Sequence, residues 1–160
     1  MKLKTKYYDI VDIDEKSILD FKEGLPGFED YKKYVLLGED QDEVVFKWLQ
    51  SVEKPDLAFV VINPFCIKKD YEFKLEDSVI KALGIGRAED VKVYSIVVVP
   101  EDVSKISVNL KAPVIINNKN NKGMQVILDR EDYSVRHYIL ELLQSQKRWE
   151  TEGVRKASDF

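Results

Sequence analysis

Cysteine and histidine are almost absent: the 160 residues contain one of each, Cys66 and His137. A single thiol cannot close an internal disulfide. One thiol and one imidazole also fall short of the three or four ligands of a zinc site, so neither a metal nor a cofactor is expected. Ser-His-Asp and Cys-His nucleophilic arrangements have only His137 to build on. Long apolar runs are lacking too. The longest, such as Ser95–Pro100, are far below the ~20 residues of a membrane helix. The N-terminus has no apolar core of a secretory signal, which makes a reducing, cytoplasmic setting the expectation.

A positive excess is missing as well. Twenty-five Lys and Arg stand against 29 Asp and Glu, a formal charge of −4. Proteins that grip phosphates concentrate positive charge, so this balance disfavours a simple nucleic-acid binder. The glycine-rich signatures of nucleotide binding are incomplete: Gly84-Ile85-Gly86 has no third glycine and follows a helical pattern. The acidic clusters Glu39-Asp40, Asp42-Glu43 and Glu89-Asp90 lie in turn-like stretches and do not match a calcium-loop spacing. Nothing here asks for an enzyme. His137 reads as a surface or capping residue, and Cys66, beside Asn63-Pro64-Phe65, as a small buried hydrophobe.

Strands are abundant. Lys2, Lys4 and Lys6 alternate with Leu3, Thr5 and Tyr7, the period of a half-buried strand whose outward lysines protect an edge. Further strands are predicted over 9–13, 17–21, 34–37, 44–51, 57–62, 91–99, 107–110, 114–117 and 124–128. Leu57–Ile62 is apolar on both faces and is bracketed by Pro55 and Pro64, so Phe59 is expected at the centre of the core. The polar loop Asn117–Gly123 suits a hairpin. Helix is predicted twice. Leu75, Val79, Ile80 and Leu83 share one face with Gly84 as the stop, and Val135, Tyr138, Ile139, Leu142, Leu143 and Trp149 form a stripe with Ser134 as N-cap. The fold class is therefore mainly β: a small β-barrel-like domain over 1–133 with one or two short helices, and a C-terminal helical extension and tail over 134–160.

Some segments are unusual for plain packing: GLPGFED, LQS, LAFVVINPF, DYEFKL, VKVYSIVVVP and NLKAPVIINNKNNKGMQVIL, in that order from Lys4 to about Arg136. Together they resemble the FliW family of flagellar assembly factors. The resemblance implies a compact β-barrel-like domain without catalytic activity. Such a domain would bind flagellin in the cytoplasm and also bind the translational repressor CsrA, relieving repression of flagellin synthesis when free flagellin is scarce. The family pattern ends near Arg136, so the segment through Trp149 stands as an addition that could cover the barrel, self-associate or extend a partner surface. Within the matched segments, Gln50, Ser51, Asn63, Asp70, Tyr71 and Asn117 are the candidate partner-binding residues, polar groups at strand ends with tyrosine as a typical binding anchor. The alternative reading is a β-barrel that binds RNA directly or holds a small ligand near His137.

Overall fold

The structure is a computed structural model that describes residues 1–38 and 46–147. Among the described residues eleven strands form, in chain order: β1 (Lys2–Lys4), β2 (Ile10–Asp12), β3 (Leu19–Asp20), β4 (Lys33–Leu37), β5 (Lys47–Ser51), β6 (Ala58–Ile62), β7 (Val91–Val98), β8 (Ser107–Val108), β9 (Val114–Asn117), β10 (Lys122–Gln125) and β11 (His137–Tyr138). Helix α1 spans Asp77–Leu83, and a second helix, α2, is described over 139–147. Seven of the strands close on themselves in the order β7-β6-β5-β4-β3-β10-β9, with β9 pairing back onto β7. Neighbours around the ring are antiparallel, apart from the short parallel contact of β10 with β3. Closure leaves the ring itself without the open edges that would otherwise recruit other chains, while β8 and β11 extend the sheet from β7 and the β1–β2 hairpin stands apart.

Strand alternation explains the core. Tyr34, Leu49, Val61, Tyr94, Val114 and Ile116 from the ring strands cluster with Phe21 and Leu25. The opposite faces are covered separately. The β1–β2 hairpin packs Leu3 against Val35, while α1 lays Val79 and Leu83 on Ile115. The third cover comes from Ile67, Tyr71, Tyr133 and Ile139, which bury Ile62 and Val97. Gly123 permits close packing in the interior: a Cβ built there would lie 2.5 Å from Cζ of Phe21, so only a residue without one leaves room for the ring. In the GLPG turn, Gly24 has φ +68° and an added Cβ would meet the Glu29 backbone at 2.7 Å.

The strand expected over 124–128 lies at Lys122–Gln125 and that over 107–110 stops at Val108, and four further expectations change. β1 stops at Lys4, because residues 5–9 fold into a tight turn instead of extending the strand. Phe59 is half-buried at the margin of the interior cluster, edge-on to Phe28 at 5.3 Å, while its neighbours Val61 and Ile62 are the buried residues of β6. Cys66 is exposed, since the one-turn 3-10 segment Pro64–Cys66 directs Pro64 inward, with Ile67 buried after it. The predicted C-terminal helix begins four residues later than its expected first residue, Val135: His137 and Tyr138 pair with Val108 and Ser107 as β11. Val135 is accordingly 65% exposed, and the Ser134 carbonyl accepts from the Leu110 and Lys111 amides where a helix cap was expected. Trp149 lies outside the described residues.

Candidate functional site

The six polar residues singled out in the sequence do not form one surface. Gln50 is 1% exposed, Ser51 0%, Asn117 2% and Tyr71 3%, so four of the six are interior groups. The reason is that each spends its hydrogen-bonding capacity inside the fold. Gln50 Nε2 donates to the carbonyls of Ser51, Pro55 and Leu57, and its Oε1 accepts from the Lys6 amide at 3.0 Å, tying the N-terminal hairpin to the barrel. Ser51 Oγ accepts from the Glu53 and Lys54 amides at 3.2 and 3.0 Å and so shapes the turn into β6. Asn117 Nδ2 donates to the Leu83 and Gly84 carbonyls at 2.8 and 3.2 Å, satisfying the C-terminus of α1. The Tyr71 hydroxyl donates to the Leu110 carbonyl at 2.7 Å, and burial pushes its pKa well above the ordinary tyrosine value.

Asn63 and Asp70 are the exposed pair. Asn63 Oδ1 accepts from the Phe65 amide at 3.0 Å and caps the 3-10 turn that holds Phe65 at the surface. Asp70 sits at the rim of a groove of about 410 Å³ between this turn and α2, floored by Ile67 and Leu142 and edged by Lys68, Lys69 and Gln146. The Lys69 amide donates to Gln146 Oε1 at 3.1 Å, so the two walls are joined, and Lys68 pairs with Asp70 at 3.0 Å.

Next to Asp70 in the chain, Tyr71 centres a cluster of mutually tilted aromatic rings that polar spacing in the sequence did not reveal. Tyr71 lies 4.8 Å from Tyr133, 5.4 Å from Phe73 and 5.6 Å from Phe65. The Arg130 guanidinium covers Tyr133 at 4.4 Å, donates to the Glu72 carbonyl at 2.7 Å and grips both oxygens of Asp132. Hydrogen bonding to Arg130 holds the Asp132 carboxyl below its ordinary range. His137 is half-buried with Nε2 accepting from the Ser134 amide at 2.9 Å, and desolvation lowers its pKa. A ring engaged this way serves the Ser134–His137 turn, and it lines neither the α2 groove nor a second groove beside Lys4 and Pro55. Among the described residues, no three His, Cys, Asp or Glu side chains are grouped to hold a metal ion, and no helix is long and apolar enough to cross a membrane.

A closed seven-stranded β-barrel, with its side covered by a hairpin and two helices and a groove of mixed polarity at α2, defines a small β-barrel protein. The family model described as FliW protein matches residues 2–139. The flagellar assembly factor FliW of Ruminiclostridium cellulolyticum is 50% identical over 147 residues, covering 92% of this chain and 99% of its own length. That of Caldicellulosiruptor saccharolyticus is 52% identical over 143 residues, covering 89% and 93%. A crystal structure of the flagellar assembly factor FliW superposes with a TM-score of 0.80 at 38% identity, over 87% of this chain and 96% of that one. The chain belongs to the FliW family. A match of 147 residues cannot fit within residues 1–139, so the first of these relatives also shares part of the segment beyond residue 139, where α2 lies.

Proposed function

We propose that this chain is a flagellar assembly factor that works by binding and not by catalysis. It holds flagellin in the cytoplasm and, in exchange, the translational repressor CsrA, so that a shortage of free flagellin releases the chain to CsrA and lifts repression of flagellin synthesis. The observation that carries this reading is the 50% identity to a flagellar assembly factor over 99% of that protein's length, on a barrel of the same fold. The two partners come from the family resemblance of the segments from GLPGFED to NLKAPVIINNKNNKGMQVIL.

The surface proposed for partner contact is the α2 groove with Asp70 at its edge, together with exposed Asn63, which caps the turn preceding Ile67, whereas Gln50, Ser51, Tyr71 and Asn117 act by holding the surrounding backbone in place. The described part of the expected C-terminal extension, 134–147, adds to that surface, with Ile139 anchoring it to the barrel side. The test is co-elution in size-exclusion chromatography of the purified chain with purified CsrA and, separately, with flagellin. Both complexes are expected, and Asp70→Lys should weaken at least one of them without moving the melting temperature. Failure of both partners to co-elute would overturn the proposal.

A further inference from the structure

His137, the chain's one histidine, sits where the C-terminal segment joins the barrel. From β11 it pairs with Val108, and the chain then runs directly into α2. Its Nε2 accepts from the Ser134 amide at 2.9 Å and closes the turn that leads into its own strand. Ser134 Oγ braces the same turn, donating to the Arg136 carbonyl at 3.0 Å and accepting from the Arg136 amide at 3.2 Å. The turn is fastened to the body of the protein at both ends. The Ser134 carbonyl accepts from the Leu110 and Lys111 amides, both at 3.1 Å, and the Ile139 amide donates to the Ile106 carbonyl at 3.0 Å.

Only a neutral imidazole can hold this turn. A ring nitrogen accepts a hydrogen bond only while it carries no proton, and the imidazolium is a donor at both nitrogens. Protonation would set a ring N–H against the N–H of Ser134, so the ring would have to leave its place. The charges around it act in both directions. From the segment after the 3-10 turn, Lys68 disfavours a positive ring; from the stretch before β11, Asp132 favours one, but Arg130 already grips both of its oxygens. Lys111, whose amide meets the turn, sends its ammonium to the Arg130 carbonyl. β8 presents Val108 and Ser107 opposite the strand, Arg136 precedes the ring, and the charged groups of α2, Glu141 and Lys147, follow it by four and ten residues. Lys68 also pairs with Asp70 on the edge of the α2 groove at 3.0 Å, so a charge on His137 pushes on a side chain of the groove itself.

We propose that His137 is a proton-operated latch: neutral, it fastens the Ser134–His137 turn and keeps β11 and α2 on the barrel; protonated, it lets go of the turn, and the segment that walls the α2 groove opens more often. The latch rests on the hydrogen bonds of the turn and not on which partner the groove meets, so it stands or falls separately from binding of CsrA and flagellin. The linkage has a definite sign. In the closed form desolvation, and then the Lys68 charge, hold the imidazole below its ordinary pKa. In the open form the ring regains the ordinary value of about 6.5. The open form therefore binds more protons, so opening is steady above about pH 7.5 and grows as pH falls through about 6.5.

Two measurements on the full chain test this. Because there is one histidine, its ring C–H signal in proton NMR titrates alone, and it should report a pKa below about 6.5. Amide hydrogen exchange, corrected for the intrinsic pH dependence of exchange, then reads local opening of 139–147 against β4, β5 and β6. Protection of 139–147 should lie well below that of the three strands and fall by up to about tenfold between pH 7.5 and 5.5, the limit for one proton. His137→Gln, whose side-chain oxygen accepts from Ser134 at any pH, should remove that fall and keep the protection. His137→Lys, a charged donor throughout, should give low protection of 139–147 at both pH values, with its fold checked by the three strands. Any of four results overturns the inference: a histidine pKa at or above the ordinary value; a wild-type profile that matches His137→Gln; full protection of 139–147 in His137→Lys; or equal protection of 139–147 and the strands, which would mean that only global unfolding opens the segment.

Discussion

Replacing Tyr71 with alanine separates a residue that supports a surface from one that forms it. The side chain is 3% exposed, packs on Phe65, Phe73 and Tyr133, and donates to the Leu110 carbonyl at 2.7 Å. Truncation removes the ring and leaves both a cavity and an unsatisfied carbonyl. Large aromatic-to-alanine changes in a core cost about 3–5 kcal/mol. For a domain of this size each 1 kcal/mol corresponds to roughly 2–4 °C, so the melting temperature should fall by about 6–20 °C. Tyr71→Phe keeps the ring and loses only the hydroxyl, so it should cost about 1–3 kcal/mol for the stranded acceptor. The assay is thermal or urea unfolding of the three proteins under identical conditions, followed by partner binding at a temperature where all are folded. A loss below about 1 kcal/mol for the alanine variant would refute the placement of Tyr71 in the interior.

Gly123→Ala should destabilise by about 1–3 kcal/mol, because the new methyl meets the Phe21 ring and the barrel interior has to shift; chemical denaturation reads this out, and a neutral result would mean the ring can move aside. Asn117→Ala should loosen the end of α1 by removing two donors to the Leu83 and Gly84 carbonyls, seen as faster amide exchange over Asp77–Leu83 with the other strands unchanged. His137 has a folded pKa lowered by desolvation, so the unfolded chain takes up the proton first as pH falls. Stability should therefore be steady above about pH 7.5 and decline as pH drops through the ordinary histidine value of about 6.5, and His137→Gln should flatten the melting temperature between about pH 7 and 5.5.

How far the residues announced the fold depends on whether the signal was local. The strands of the ring were legible because period-2 alternation and proline brackets are properties of short windows, as at β6 between Pro55 and Pro64. The Asn-rich hairpin was legible for the same reason, with Asn121 at φ +58°. The start of the C-terminal helix was not: Val135, Tyr138 and Ile139 fit a helical period, but tertiary pairing of His137 and Tyr138 with β8 overrides it. Polar residues at strand ends looked like a recognition rim. Only three-dimensional placement shows that Gln50, Ser51 and Asn117 answer backbone groups 1 to 44 positions away in the chain. The ring contact of Tyr7, between β1 and β2, with Trp48 was invisible for a similar reason, since Trp48 is 41 residues from Tyr7 in sequence and meets it only after the barrel has closed.

The claim that this chain antagonises CsrA and answers to flagellin is tested most directly by in vitro translation of a reporter carrying a flagellin leader that CsrA represses. Adding the purified chain to the repressed reaction should restore translation, and adding flagellin should then silence it again. Restoration that flagellin leaves untouched, or no restoration at a several-fold excess of the chain over CsrA, would contradict the account.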